Sequence, residues 1–151
     1  MLAFIAALGI GCLVHGAAPT PGEMATAAEW AAAKFAGESA PGFDGAPFFS
    51  FTYGGKASAD LLPSWTVTRA VEAPDAHRAR HTVTWTDPET GLEVRCEGVR
   101  YLDFPTVEWT LHFKNTGAAD TPLLENLRAV DTAFRRDPHS EFLMRTIRGD
   151  N

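Results

Sequence analysis

Thr106-Val107-Glu108-Trp109-Thr110-Leu111-His112-Phe113-Lys114 decides the fold, because Val107, Trp109, Leu111 and Phe113 alternate without a break against polar residues. Successive strand side chains point to opposite faces, so an unbroken period of two describes a β-strand with one buried and one solvated face. Asp103-Phe104-Pro105 precedes it, and proline is suited to opening a strand because it has no N–H to give to a ladder. Asn115-Thr116-Gly117 follows it with turn chemistry. A half-buried strand needs partners of the same kind, and the chain supplies them on both sides.

Upstream, Phe48-Phe49-Ser50-Phe51-Thr52-Tyr53 forms a short aromatic strand stopped by Gly54-Gly55. Trp65 to Val71 alternates Trp65, Val67 and Val71 against Thr66, Thr68 and Ala70, and His81 to Thr86 alternates over a polar face made of threonines. Asp87-Pro88-Glu89-Thr90-Gly91 has proline at the second turn position and glycine at the end, which predicts a hairpin into Leu92 to Glu97. Downstream, Leu123 to Phe134 is expected to carry the meander onward, and Glu141 to Arg148 to begin one more strand. No βαβ rhythm interrupts this series, so the expected fold is all-β, an antiparallel β-sandwich.

The N-terminal part differs. Leu2 to Val14 is an apolar run too short to span a bilayer, followed by Gly16-Ala17-Ala18 and Pro19. Residues 1–18 therefore read as a secretory signal peptide, with its n-region charged only by the terminal amine. Gly9-Ile10-Gly11-Cys12 offers a lipoprotein site as the alternative, although Gly9 stands where such sites carry leucine. Either reading makes the protein an exported one; a misassigned start codon is the third reading of the segment. Residues 19–45 form a short helix and linker: Thr20-Pro21-Gly22-Glu23 is a capping box, the helix should run from Met24 to Ala36, and Gly37 should end it. Trp30 is the side chain expected to lay this helix against the sandwich, which occupies residues 46–151.

The 151 residues are 45% hydrophobic and 21% charged, enough for one domain with a real core. A net charge of −6 leaves no phosphate-attracting field, and no basic stripe appears, which argues against a nucleic-acid partner. Removal of residues 1–18 leaves Cys96 as the sole cysteine; it shares register with Leu92 and Val94 and reads as a buried apolar thiol. Histidines 15, 77, 81, 112 and 139 have no metal-site spacing, and nothing implies a cofactor. Glu89, Glu93 and Glu97 sit in turns or on outward positions, as solvated carboxylates do.

Tyr53-Gly54-Gly55-Lys56, Thr86-Asp87-Pro88-Glu89-Thr90-Gly91-Leu92, Asp103 to Trp109 and Phe113-Lys114-Asn115-Thr116-Gly117 occur in an order that resembles the N-terminal domain of glycoside hydrolase family 36, the bacterial α-galactosidases or melibiases. The likeness covers roughly residues 46 to 151. It implies a galactose-mutarotase-like supersandwich, here incomplete, followed in the whole enzyme by a (β/α)₈ barrel that hydrolyses terminal α-D-galactosides with retention. The family's two catalytic aspartates lie on that barrel, so no residue of this chain inherits a catalytic role, and the chain resembles a fragment of a longer enzyme with the barrel as its missing partner. Asp131, in register with Leu127 and Ala129, would face either the core or such a barrel.

In the family, a loop of this domain approaches the sugar site of a neighbouring subunit, which implies a homo-oligomer and a role for the Gly54-Gly55 turn. Tyr53 would stack on a sugar, and Lys56 or Asp60 would bond its hydroxyls; the alternative is a plain turn with a solvated lysine. The rival reading from another class is a non-catalytic carbohydrate-binding or immunoglobulin-like module of an exported protein, because fold alone does not choose between them.

Overall fold

The hairpin around Asp87–Gly91 is the centre from which the larger sheet grows. The computed structural model describes residues 18–38, 43 and 45–133. Its strands are β1 (Ser50–Tyr53), β2 (Lys56–Ala57), β3 (Thr66–Asp75), β4 (Arg78–Thr86), β5 (Leu92–Tyr101), β6 (Val107–Asn115) and β7 (Leu124–Arg128). β3-β4-β5-β6 form a four-stranded antiparallel meander, and β2-β1-β7 a three-stranded antiparallel sheet. The fold is therefore an all-β sandwich.

Register explains which side chains meet. Val83 lies opposite Cys96 and Cys96 opposite Leu111, while Trp85 lies opposite Val94 and Val94 opposite Phe113. One face of the meander is thus apolar and is covered by Phe49, Phe51 and Tyr53 of the smaller sheet and its approach. Phe49 packs edge-on to Trp85 at 5.3 Å and Phe51 edge-on to Phe113 at 5.5 Å, geometries that aromatic quadrupoles favour. The opposite face carries Thr82, Thr84, Glu93, Arg95, Glu97 and His112, with Glu97 within ion-pair distance of both Arg95 (3.4 Å) and His112 (3.8 Å).

β6 occupies an edge of its sheet, which changes the reading of Val107, Trp109, Leu111 and Phe113. All four point inward as their alternation predicts, yet each is only half-buried, because strand and core end together there. The strands β3, β4 and β5 also run further than their apolar alternation, to Asp75, from Arg78 and to Tyr101. The expected onward meander through Leu123–Phe134 is corrected: after β6 the chain crosses to the other sheet, where β7 pairs with β1. Asp131 does not enter the core; it is exposed, accepts a hydrogen bond from Ser50 Oγ and lies 3.8 Å from Arg128.

The helix begins as its capping box dictates. Glu23 N–H donates to Thr20 Oγ1 at 3.3 Å while the Glu23 carboxylate accepts from Thr20 N–H at 2.7 Å, so two otherwise orphaned donors are satisfied. α1 (Pro21–Ala31) then widens into a π-turn over Ala32–Ala36, and Gly37, at φ +74°, ends it in the left-handed region. Trp30 and Phe35 belong to the same core as the sheets: Trp30 meets Trp109 at 5.6 Å and Phe48 at 5.2 Å. A short helix, α2 (Ser58–Leu61), and a 3₁₀ turn (Leu62–Ser64) link β2 to β3, an arrangement that the sequence pattern did not predict. Residues 1–17, most of the segment read as a signal peptide, and the strand expected at Glu141–Arg148 lie outside the described residues.

Candidate functional site

The β1–β2 connection is a two-residue hairpin. Tyr53 pairs with Lys56, and Gly54 and Gly55 between them have φ of +55° and +77°. Positive φ at both central positions is the hairpin turn whose twist matches that of the strands, and glycine adopts it without a Cβ clash. The turn sets Lys56 on one side of a cleft of about 570 Å³. α2 brings Asp60 to the same cleft, the 3₁₀ turn brings Ser64 and Trp65, and the β4–β5 hairpin brings Asp87, Glu89 and Thr90. All three residues singled out from the sequence, Tyr53, Lys56 and Asp60, therefore line one cleft.

Their roles there differ. Tyr53 is 5% exposed, with its ring edge-on to Trp65 at 6.0 Å, so the ring is a wall of the cleft rather than an open stacking platform. Its hydroxyl lies 2.6 Å from Thr90 Oγ1, and that hydroxyl in turn donates to the Asp87 carboxylate. A carboxylate only accepts, so the Thr90 proton goes to Asp87 and Tyr53 must be the donor to Thr90. Asp87 is buried and its other oxygen accepts from Glu89 N–H at 3.1 Å. Both Asp87 oxygens are thus committed to shaping the hairpin.

Lys56, Asp60 and Glu89 present the cleft's uncommitted chemistry: one ammonium and two carboxylates, each exposed and each without a side-chain hydrogen bond or ion pair among the described residues. Such a set offers donors and acceptors to a polyhydroxylated ligand. Sequence reasoning missed Glu89, Thr90 and Trp65 as cleft residues, because Glu89 and Thr90 sit in a hairpin turn and Trp65 reads as the start of a strand. The β4–β5 turn is itself held to the end of β6, where Thr116 donates from both N–H (2.9 Å) and Oγ1 (2.7 Å) to the Gly91 carbonyl.

A larger groove, about 1000 Å³, runs between α1 and β6 and is walled by Trp30, Phe43, Val107 and Trp109. Its few polar groups, Thr20, Glu23 and Thr26, belong to α1, where Thr20 and Glu23 cap each other and Thr26 Oγ1 bonds back to the Gly22 carbonyl. It has the makings of a packing surface and lacks convergent polar groups. Elsewhere, Cys96 is fully buried and its thiol is pushed up to about 12 by burial, with the Glu97 charge adding to the effect. Among the described residues no three His, Cys, Asp or Glu side chains converge as metal ligands, and no helix is long and apolar enough to cross a membrane.

The chain matches no known family profile, no curated protein and no solved structure.

Proposed function

We propose that this chain is the N-terminal β-sandwich region of an exported, α-galactosidase-like glycoside hydrolase, and that the cleft beside the Gly54-Gly55 turn contacts the sugar. The observation that carries this reading is the convergence of Tyr53, Lys56 and Asp60 from β1, β2 and α2 onto one polar cleft. Lys56 donates to sugar hydroxyls, Asp60 and Glu89 accept from them, and Tyr53 fixes the wall through Thr90. In this reading hydrolysis is the work of a (β/α)₈ barrel, as in the family the sequence resembles, and the cleft only contacts the sugar. Retention requires two carboxyl groups about 5 to 5.5 Å apart across the glycosidic bond. Of the cleft's acids, Asp87 is consumed by its turn, while Asp60 and Glu89 stand on the open surface.

The test is to titrate the chain with melibiose or raffinose and follow its amide resonances. Millimolar sugar is expected to shift residues 53–60 and 87–90, the shifts are expected to vanish in Lys56→Ala and Asp60→Ala, and an aryl α-galactoside should stay uncleaved. Turnover by this chain, or shifts confined to some other surface, would overturn the assignment. A second reading, a carbohydrate-binding module acting without a catalytic partner, is favoured by the cleft's uncommitted polar groups, Lys56, Asp60 and Glu89, which suit a polyhydroxylated ligand. Comparable shifts with unrelated glycans would select it.

A further inference from the structure

His81 lies on the inward face of β4 with Val83 and Trp85, is 9% exposed, and has no hydrogen-bond partner at either ring nitrogen among the described residues. Buried polar groups without partners are rare because each forfeits its hydration. What this imidazole does have is an aromatic ring lying on it. Phe35 stacks on His81 at a centroid distance of 5.2 Å and an interplanar angle of 24°. Phe35 is held there by the π-turn that ends α1, and such turns often mark functional positions.

The seat on the other side is bare backbone. Gly98 of β5 pairs with His81, and a Cβ placed on Gly98 would come within 2.3 Å of the Phe35 ring. Phe35 also meets Trp30 and Phe48 edge-on. Phe35 therefore pins the N-terminal helical element to the meander together with Trp30, which packs on Trp109 of β6, and the Phe35 ring rests on an unbonded imidazole.

The ionic surroundings disfavour a charge there. Arg100, inward-facing on β5, is the charge that acts on the imidazole, and burial followed by Arg100 moves His81 below the ordinary histidine range. On β3, Val71 lies opposite His81; Arg69 places its guanidinium against Gly37, while Glu72 pairs with Arg80 on the far face. On the π-turn, Lys34 donates to the Ala46 carbonyl at 2.9 Å. On α1, Glu23 is engaged in the cap and Glu29 is exposed. Cys96 of β5 is a neutral thiol at ordinary pH.

We propose that His81 is an acid-operated latch: protonation of the imidazole beneath Phe35 releases α1 and the π-turn from the meander and uncovers Phe48 and Trp109, on which Trp30 packs in the docked state. The attraction of a cation for the Phe35 ring offsets part of the cost, but the imidazolium would have two N–H donors without acceptors and would face Arg100. Because the docked state holds His81 below its free value, docking is at full strength above about pH 6.5 and weakens as pH falls from there towards the docked-state value. One proton is taken up on release, so within that window the opening constant rises by at most about tenfold per pH unit.

The experiment measures hydrogen-exchange protection factors of residues 21–36 from neutral pH down to about 5, at constant ionic strength and with intrinsic rates divided out. The unaltered chain is expected to lose protection as pH falls below about 6.5, with a slope of at most about tenfold per pH unit. His81→Phe, which keeps a stacked ring and removes the titration, should hold its protection flat. An unchanged pH slope in His81→Phe, or no slope in the unaltered chain, would overturn the proposal. Should the variant fail to fold, the imidazole resonance of His81 is followed in the unaltered chain: it must titrate below about 6.5 and together with the loss of α1 protection, and a midpoint at or above that value refutes the latch.

Discussion

Gly98→Ala tests how the helix is seated on the sheet. The added Cβ would lie 2.3, 2.6 and 2.7 Å from three atoms of the Phe35 ring, where carbon atoms prefer about 3.5–4.0 Å. The ring would have to retreat by roughly 1 Å or more, and its neighbours oppose that. Trp30 and Phe48 hold it edge-on at 5.7 and 5.5 Å, and His81 lies against its face. Overpacking of this kind costs about 1–3 kcal/mol, which for a domain of this size lowers Tm by about 2–12 °C. Thermal unfolding followed by circular dichroism reads the shift. Repeating the substitution in a Phe35→Leu background removes the atoms that clash, so the penalty there should shrink and the two changes should be coupled by about 0.5–3 kcal/mol. An unchanged Tm, or the same penalty in both backgrounds, would mean that Phe35 does not sit over Gly98.

Two further outcomes follow from ionisation. Cys96, buried and with its thiol pushed up to about 12, should resist alkylation by iodoacetamide at mildly alkaline pH until denaturant is added, as mass spectrometry would read; modification of the native chain would contradict its burial. Asp75, at the β3–β4 turn, is held below the usual carboxylate range first by its hydrogen bond from Arg78 and then by His77 N–H. Its contribution is present above the unfolded value of 3.8 and is lost as pH falls through the lower folded value, so amide protection at this turn should drop in strong acid and Asp75→Asn should abolish that step.

How much of this was legible depends on where each element lies relative to the core. The inner halves of β3, β4 and β5 were readable because one face meets the smaller sheet, so apolar and polar residues alternate. Their outer ends were not. Glu72, Ala73, Pro74, Arg78 and Arg80 are exposed in a part of the meander that projects past the smaller sheet, and a strand solvated on both faces has no period to read. The crossing of β7 to the other sheet was equally hidden, since alternation specifies a strand and says nothing about which neighbour it pairs with. His81 was half-legible: parity with Val83 and Trp85 puts it inward, but only the packed structure shows that neither ring nitrogen has a hydrogen-bond partner among the described residues.

The cleft shows the same division from the functional side. Tyr53 and Lys56 could be picked out because Gly54-Gly55 forces them to flank a tight turn, and that local rule survives in three dimensions. Glu89 and Thr90 could not, because their place in the cleft depends on a hydrogen bond from Tyr53 to a hairpin 37 residues away. That bond also argues for where ligand chemistry can reside. Tyr53, Thr90 and Asp87 spend their polar groups on one another and fix the walls, which leaves Lys56, Asp60 and Glu89 to meet a ligand. Substituting the wall residues should therefore disturb stability and binding together. Substituting the three exposed residues should disturb binding alone, since exposed changes away from caps and buried pairs cost no more than about 0.5 kcal/mol.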